Sequence, residues 1–336
     1  MARVTSRPAE STDATDASDA SDASDPTVAA GGAGTHVAAA PSTDVAGLGR
    51  KRAVLFVVPA LALAGMFLVF PALWTIYIGL LKYSLTGATA AAPVFRGIHN
   101  YTDALRDPAF RNALKITIYF VLLSAVIGQS MLGFTIAWRM RTARAWTRGI
   151  VQGLVLLAWI MPSTVVVFLW QALLSRNDGT LNALLHTGGT DWALSHPVSV
   201  IVVFNIWRGT AFSMLLFAAA LGAVPTSQLE TARLAGATGM QQLRDVVFPH
   251  IRGHILTNTL LISLWTFNDF TPYLLTGGGP DHRSETLPVY VYNVAFRGGD
   301  LGFGSAISLI MLVINLIVAL FYLRLLRERR AGRAAT

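Results

Sequence analysis

The chain has 336 residues, of which 53% are hydrophobic and 13% charged, and it contains no cysteine. This composition excludes an ordinary soluble domain and favours a membrane protein with several spans, while the missing cysteines exclude disulfides, thiolate metal sites and a cysteine nucleophile. The formal charge is +8, but the basic residues stand at the ends of apolar runs, which indicates membrane topology rather than nucleic-acid binding.

The amino-terminal segment, residues 1–49, is a low-complexity stretch of Ala, Ser, Thr, Asp and Gly. It has no periodic apolar face, so it cannot bury enough surface to offset the entropy lost on ordering. We expect a disordered cytoplasmic tail at 1–49, a membrane domain at 50–330 and a short second tail at 331–336.

Six apolar runs reach the length of about 20 residues that a membrane-spanning helix needs. They cover residues 53–81, 116–138, 149–174, 198–222, 253–275 and 305–326. The first run is too long for a signal peptide. The third run contains Pro162, and membrane spans tolerate proline if neighbouring helices satisfy the freed carbonyl groups. The expected fold class is therefore all-α integral membrane, with six transmembrane helices.

The distribution of Lys and Arg predicts the orientation of these spans. With the amino terminus inside, fifteen basic residues fall in cytoplasmic segments and eight in the opposite loops, five of which lie in the first loop. The positive-inside rule then places both termini in the cytoplasm, together with the long polar segment between the fourth and fifth spans.

That polar segment, residues 226–249, has the pattern of two short helices joined by a tight turn. Ser227 and Glu230 have the spacing of a capping box, and Gly236 is suited to the left-handed residue after a helix end. Thr238 is placed to cap a second helix from Gly239 to Val247, which Pro249 would end.

The second helix of this segment is expected to carry Leu243, Val246 and Val247 on one face. An alternative interpretation is an amphipathic hairpin that lies on the lipid headgroups. A DNA-binding helix-turn-helix is disfavoured, because the segment is tethered between two spans and the whole polar stretch has only three arginines, Arg233, Arg244 and Arg252.

The segment resembles the coupling-loop signature of the membrane subunits of ATP-binding-cassette importers, E-A-A-x-x-x-G-A followed by a hydrophobic pair and Pro. The matching residues are Glu230, Ala232, Gly236, Ala237 and Pro249. The sequence departs from the signature at Thr231, Ala235 and Phe248. Three further motifs resemble the carbohydrate-uptake branch, the maltose and glycerol-phosphate permease-like family: Gly97-Ile-His-Asn-Tyr101, Asn205-Ile-Trp-Arg-Gly209 and Leu275-Thr-Gly-Gly-Gly-Pro280.

The resemblance implies a non-catalytic permease subunit in the bacterial plasma membrane. Its implied partners are a second homologous permease, a cytoplasmic ATPase dimer that holds ATP and Mg²⁺, and an extracytoplasmic solute-binding protein that delivers a sugar-like substrate. The coupling residues that it implies are Glu230, Ala232, Gly236, Ala237, Leu243 and Pro249. The chain itself has no cofactor and no phosphate-binding loop, since none of its three lysines follows a glycine.

Two charged residues inside spans, Arg208 and Asp269, are candidates for the substrate path, because intramembrane charges are costly and usually functional. The alternative is an ion pair between them that only fixes helix packing. The resemblance adds Gly209, Phe212 and Thr266 to the path. Arg, Asp and an aromatic ring together supply the polar groups and the flat surface that a sugar needs.

Two other functional classes remain as alternatives. An ion-coupled secondary carrier would show an inverted repeat with ionisable relays at mid-membrane, and no clear repeat is present. A structural membrane scaffold would not need a buried Arg and Asp or the Gly-rich loop. A metal site is not expected, because His250 and His254 have helical spacing but lack a third ligand.

Overall fold

Helices dominate the computed structural model, which describes residues 50–334. Residues 1–59 and 60–336 form separate units, and the packing reported below concerns the second of them. The predicted tail at 1–49 and the last two residues of the predicted tail at 331–336 lie outside the described residues.

The first span begins at the basic residues that precede the first apolar run. It consists of α1 (Arg50–Ala64), a π-helical stretch (Gly65–Val69) and α2 (Phe70–Gly79). Helix α2 packs against the carboxyl-terminal helix, Leu301–Ala334, and its large apolar side chains are mostly exposed. Exposed apolar side chains on a helix of this length are expected where the surrounding medium is lipid.

A layer of short elements follows the first span. Strand β1 (Leu81–Lys82) pairs antiparallel with β2 (Val94–Phe95) around α3 (Ala88–Ala91), and α4 (His99–Arg106) comes next. The side-chain amide of Asn100 donates hydrogen bonds to the carbonyl oxygens of Gly79 and Leu81, at 2.9 and 2.8 Å. The motif around Asn100 therefore anchors this layer to the end of the first span.

The second span is a continuous helix that is longer than the predicted run of 116–138. It consists of α5 (Pro108–Phe120), a nine-residue π-helical stretch (Val121–Gln129) and α6 (Ser130–Met140). The helix begins at Asp107, whose carboxylate accepts a hydrogen bond from the Ala109 amide at 2.8 Å. Pro108 follows as the first helical residue, where its missing N–H leaves no intrahelical bond unmade.

The third apolar run is not one straight span, contrary to the prediction for 149–174. It forms α7 (Ala145–Ile160) and α8 (Ser163–Leu174), and the two helix axes differ by 103°. Met161 and Pro162 both have extended backbones, with ψ angles of 141° and 136°. Proline disfavours a helical conformation in the residue before it, so the helix ends at Ile160.

The fourth span lies at the centre of the helix packing. After the short helices α9 (Thr180–Leu185) and α10 (Trp192–Ser195), helix α11 (Pro197–Gly222) matches the predicted run of 198–222. It packs against α6 and α7 and against the following long helix, and it supplies residues to two of the three apolar clusters, among them Phe204, Met214 and Phe217.

The segment after α11 runs directly into the fifth long helix. It comprises α12 (Thr226–Leu234), α13 (Gly239–Gln241), a π-helical stretch (Gln242–Val247) and α14 (Phe248–Phe267). The prediction that Pro249 ends the second short helix is wrong, because the helix continues through Pro249 without a break. The wider π-helical turns just before Pro249 shift the backbone hydrogen-bond register there, and such shifts accommodate proline inside long helices.

The chain beyond α14 alternates short elements with one long helix. These elements are α15 (Thr271–Thr276), a 3₁₀ turn (Pro280–His282), α16 (Leu287–Tyr292), a π-helical stretch (Asn293–Arg297) and α17 (Leu301–Ala334). The loop between α15 and α16 is fixed by the buried Glu285, which lies 2.7 Å from the His282 ring and accepts a hydrogen bond from Asn293.

Fewer helices meet a length and apolarity criterion for spanning than the six predicted. Within residues 50–334, four helices do so: Val57–Gly79, Pro108–Met140, Pro197–Gly222 and Leu301–Leu326. The bent pair of α7 and α8 makes a fifth if it crosses as one span. Helix α14 covers most of the predicted fifth span but carries polar residues, including His250, Arg252, His254 and Asn258. The total of six transmembrane helices therefore stays a prediction.

Close contact between α6 and α11 depends on Gly133. A Cβ atom added at Gly133 would lie 2.6 Å from Ser213 Cβ and 2.8 Å from the Met214 amide nitrogen, whereas one added at Gly153 in α7 meets nothing within 4 Å. Gly133→Ala should therefore destabilise the detergent-purified protein by about 1–3 kcal/mol through overpacking. Gly153→Ala is the control, expected to be neutral or stabilising by about 0.5–1 kcal/mol. Equal melting temperatures for the two variants would contradict this packing.

Candidate functional site

A cavity of about 160 Å³ lies between α11, α14 and the second span. The five residues predicted for the substrate path all line this cavity, although they stand up to 61 positions apart in the sequence. The lining residues are Gln129, Trp159, Asn205, Arg208, Gly209, Phe212, Ile262, Trp265, Thr266 and Asp269. The structure thus brings the predicted residues together, while their role stays a prediction.

Helical periodicity explains why α11 contributes four of the lining residues. Asn205, Arg208, Gly209 and Phe212 follow the i, i+3, i+4, i+7 spacing that places residues on one helix face. Ile262, Trp265 and Thr266 repeat this spacing at the end of α14. Asp269 follows just beyond the end of that helix at Phe267.

A buried polar network joins the helices that form the cavity wall. The side-chain amide of Asn205 donates to Ser124 Oγ at 2.6 Å and to Thr266 Oγ1 at 3.2 Å, and Gln129 donates to the Asn205 carbonyl oxygen at 3.0 Å. All four residues are buried. Because hydrocarbon supplies no hydrogen-bond partners, these bonds fix the relative positions of the second span, α11 and α14.

Gly209 is required for a close approach rather than for a turn. A Cβ atom at this position would lie 2.3–2.4 Å from three atoms of the buried Gln129 side chain. Glycine therefore lets the second span come near enough to α11 for Gln129 to reach the Asn205 carbonyl oxygen. The resemblance assigned Gly209 to the substrate path, and the structure adds this packing role.

Arg208 and Asp269 share the cavity but do not form the ion pair considered as an alternative. The ion pairs formed among the described residues all involve other groups. No nitrogen of Arg208 therefore lies within 4.0 Å of an Asp269 oxygen. Asp269 Oδ1 instead accepts hydrogen bonds from the Thr271 amide at 2.9 Å and from its hydroxyl at 2.6 Å. The carboxylate is thereby oriented by the start of α15, and the Arg208 guanidinium is left facing the cavity.

Aromatic rings form a third part of the cavity wall. The Phe212 ring lies 4.6 Å from the Trp265 ring and 6.2 Å from the Trp159 ring, measured between centroids. Trp265 is 54% exposed. One cavity therefore combines a cation, an anion, neutral polar groups and flat apolar surfaces.

Sequence reasoning missed five residues of this cavity, namely Gln129, Trp159, Asn205, Ile262 and Trp265. A signal existed for Asn205, because it stands three positions before Arg208 on the same helix face. Trp265 stands four positions before Asp269 and next to Thr266. Gln129 and Trp159 come from distant segments, and no local pattern connects them to Arg208.

The polar segment between α11 and α14 begins differently from the prediction. Ser227 and Glu230 do not form a capping box, because helix α12 starts at Thr226, which follows Pro225, with no side-chain cap. Ser227 is thus already helical, and its carbonyl oxygen accepts a hydrogen bond from Thr231 Oγ1 at 2.9 Å. Glu230 is consequently exposed and does not reach back to the helix start.

The turn after α12 confirms the left-handed conformation predicted for Gly236, whose φ is +80°. The Ala237 amide donates to the Ala232 carbonyl oxygen and the Gly236 amide to that of Arg233, both at 2.9 Å. These are the two bonds of a Schellman motif, which satisfies the last carbonyl groups of a helix.

The start of the second short helix confirms the cap predicted at Thr238. Its hydroxyl accepts a hydrogen bond from the Gln241 amide at 3.4 Å, and the Gln241 side chain accepts one from the Thr238 amide at 2.7 Å. This reciprocal pair is a capping box. Both ends of the turn between α12 and α13 are therefore held by specific hydrogen bonds.

Apolar residues divide the polar segment into an inner and an outer face. Val247 is fully buried, and Leu243 and Val246 pack against the same apolar cluster, as predicted. On the outer face, Leu234 is 90% exposed and Met240 is 72% exposed. We call this outer face, residues 230–240, the coupling face.

No group of three His, Cys, Asp or Glu side chains is placed to share an ion within residues 50–334. Nδ1 of His250 lies 3.0 Å from the Val246 carbonyl oxygen one turn earlier, which favours a packing role for this histidine.

Comparison with known proteins finds one family whose model matches residues 129–331, described as the inner membrane component of binding-protein-dependent transport systems. A trehalose/maltose transport permease from Thermococcus litoralis is 27% identical, over 83% of this chain and 95% of the relative. An sn-glycerol-3-phosphate transport permease from Agrobacterium fabrum is 27% identical, over 82% and 94%. A bacterial alginate ABC transporter, solved with an alginate-bound periplasmic protein, has a chain with the same fold (TM-score 0.68, 18% identity, covering 80% of this chain and 92% of that one).

The turn at Gly236 can be tested with two alanine substitutions. Gly236→Ala places a Cβ atom on a left-handed residue, which costs about 1–2 kcal/mol, so the amides of 226–242 should exchange hydrogen about 5 to 30 times faster. Gly239→Ala is the control, because Gly239 has no positive φ and open space around its Cβ position. Hydrogen exchange measured by mass spectrometry should leave this control near wild type. Equal rates in the two variants would contradict the conformational role of Gly236.

Proposed function

This chain belongs to the family of inner membrane components of binding-protein-dependent transport systems, and from that premise we propose how it moves its cargo. It is a non-catalytic permease subunit of an ABC importer in a multi-pass membrane arrangement. With a second permease of the same family, it forms the path by which a sugar or related polyol crosses the membrane.

One observation carries the proposal, the helical continuity between the coupling face and the cavity. From Gly239 to Phe267 the backbone is helical without interruption, through α13, the π-helical stretch and α14. At 1.5 Å per residue this helix is about 40 Å long. A rigid helix of this length moves Thr266 when the segment next to Met240 is displaced, which links an external motor to the cavity.

The motor in this proposal is a separate cytoplasmic ATPase dimer that holds ATP and Mg²⁺. One ATPase subunit accepts the coupling face in a groove, with Leu234 and Met240 as apolar contacts and Glu230 facing a basic or amide group. Ala232 and Ala237 have small side chains, which keep the turn narrow. Gly236 sets the direction of the turn, and Leu243 and Pro249 connect it to α14. Closure of the ATPase dimer then displaces the helix and changes access to the cavity.

The orientation follows from the same arrangement. The coupling face must lie in the cytoplasm to meet the ATPase, which agrees with the excess of basic residues on that side. Both termini are then cytoplasmic in the bacterial plasma membrane. The opposite face, with the loop Gly277–Glu285, meets an extracytoplasmic solute-binding protein that delivers the cargo.

The chemistry of the cavity supports a polyhydroxyl cargo. Arg208 donates and Asp269 accepts hydrogen bonds, so together they bind hydroxyl groups, and their charges cancel. Phe212, Trp265 and Trp159 offer flat apolar surfaces for the faces of sugar rings. The relatives described above belong to trehalose/maltose and sn-glycerol-3-phosphate transport systems, which supports a polyhydroxyl solute as the cargo.

The experiment that tests the cargo site replaces each charge by its neutral amide. Arg208→Gln and Asp269→Asn should each lower solute uptake by about tenfold or more, since each removes a charge-assisted hydrogen bond. Arg297→Gln and Asp178→Asn are matched controls, because both residues are exposed and lie outside the cavity. Uptake rates in proteoliposomes that stay unchanged in both cavity variants would contradict the assignment.

The coupling face can be tested through its two exposed apolar residues. Leu234→Ser and Met240→Ser together should weaken co-purification of the ATPase by about tenfold or more, because well-packed apolar contacts dominate interface energies. Leu184→Ser is the control, since Leu184 is 73% exposed on α9, on the opposite side of the proposed topology. Full ATPase recovery with the double variant, in protein that inserts normally, would refute docking at this face.

A further inference from the structure

Two adjacent cavities lie beside the polar segment of residues 226–249, from here called the coupling segment, and are lined by arginines to which the proposed transport path assigns no role. The first, of about 290 Å³, is formed where α6 ends, α11 ends and α12 begins. The second, of about 310 Å³, lies between α6, α11 and the start of α7. They share Arg141, Leu221 and Gly222, so they form one continuous groove, which we call the arginine groove.

Three guanidinium groups line the arginine groove against one carboxylate. Arg141 and Arg233 line the first cavity together with Glu230, and Arg148 lines the second. None of the three arginines forms an ion pair within 4.0 Å among the described residues. The groove therefore has two positive charges in excess, and its guanidinium groups are available to an anion.

Arg141 lines both cavities. Its guanidinium carbon is 4.1 Å from the centre of the Trp138 ring, in a cation–π contact that orients it. Burial lowers the pKa of the Arg141 guanidinium, and the positive charge of Arg233 lowers it further. Two like charges thus lie near each other in the groove, and neither forms an ion pair within 4.0 Å among the described residues, although Glu230 lines the same cavity.

The depth of the arginine groove matches the headgroup level of a bilayer. It lies at the ends of two candidate spans, Pro108–Met140 and Pro197–Gly222. Trp138 contacts Arg141 in the groove, Trp146 stands two positions before Arg148 in the sequence, and tryptophan is enriched at membrane–water interfaces. Apolar residues line the same groove, namely Ala137, Met140, Leu221, Val224 and Leu229. A ligand that fits has an anionic group next to a hydrocarbon part.

We propose that Arg141, Arg148 and Arg233 bind the phosphate headgroup of an anionic phospholipid, which joins the coupling segment to the spans. Basic pockets between membrane helices are suited to such headgroups, and the planar guanidinium group matches phosphate oxygens in a bidentate geometry. The hydroxyl groups of Thr142 and Thr226 and the amide of Gln152 line the groove as additional donors.

Lipid binding in the arginine groove affects coupling because of where Arg233 lies. Arg233 belongs to α12, Arg141 follows the second span and Arg148 lies in the first turns of α7. One headgroup in contact with all three restrains the coupling segment against two membrane helices. Coupled transport should therefore increase with the fraction of anionic lipid, independently of which solute is carried.

The test measures lipid binding directly, without a transport assay. The full-length chain, purified in detergent with its assembly partners, is incubated with equal amounts of phosphatidylglycerol and phosphatidylcholine and examined by native mass spectrometry. The wild-type protein should retain more phosphatidylglycerol than phosphatidylcholine. Arg141→Gln and Arg233→Gln should each weaken this retention about fivefold, and the double variant about thirtyfold.

The control is Arg139→Gln, since Arg139 is exposed two positions from Arg141 and lines neither cavity. It should retain phosphatidylglycerol as wild type does. Equal retention of the two lipids by wild type, or equal losses in the control and the double variant, would overturn the proposal. Complete displacement of the lipid by inorganic phosphate at equal concentration would also overturn it, by assigning the groove to a soluble anion. Because binding is read without transport, these outcomes are separate from failure of the proposed uptake function.

Discussion

The hydrogen bonds of Asn205 are the interaction on which the rest of the membrane domain depends. In a hydrocarbon environment no water satisfies a polar side chain, so a buried amide holds its protein partners firmly. Asn205 joins Ser124 on the second span to Thr266 on α14, and Gln129 closes the network against the α11 backbone. The glycine at 209 makes this approach possible. The cavity walls are thereby fixed as a consequence of packing, and Arg208 can face the cavity without an ion partner.

The same network connects the long helix from Gly239 to Phe267 to the second span and α11. At its cavity end Thr266 bonds to Asn205, and its other end carries the coupling face, with the Schellman motif at Gly236 and the capping box at Thr238. The π-helical stretch before Pro249 lies between them. Such stretches are common at functional positions because they shift hydrogen-bond register without breaking the helix. A displacement at the coupling face is therefore transmitted along one element, and the arginine groove supplies a lipid contact beside α12.

Much of this architecture follows from the sequence, because apolar runs and capping residues are local signals. The apolar runs predicted the first, fourth and last spans within about four residues, whereas the second span begins eight residues before its run. The left-handed Gly236 and the cap at Thr238 were predicted from their residue types. Predictions failed where a neighbouring residue changed the local geometry. Pro162 bends the third run, and helix α12 starts one residue before Ser227, which removes the predicted capping box. The packing of Gln129 against Gly209 depends on residues 80 positions apart, and no single-sequence pattern reports such a contact.

The central claim is that ATP hydrolysis by a partner, acting through the coupling face, drives solute through a path that includes the cavity between α11 and α14. Its most direct test is uptake into proteoliposomes that contain this chain, its partner permease and the ATPase, with binding protein and a labelled sugar outside. The account predicts uptake only when ATP is enclosed with the ATPase, and no uptake from a proton or sodium gradient alone. Uptake driven by an ion gradient in vesicles that lack the ATPase would contradict it.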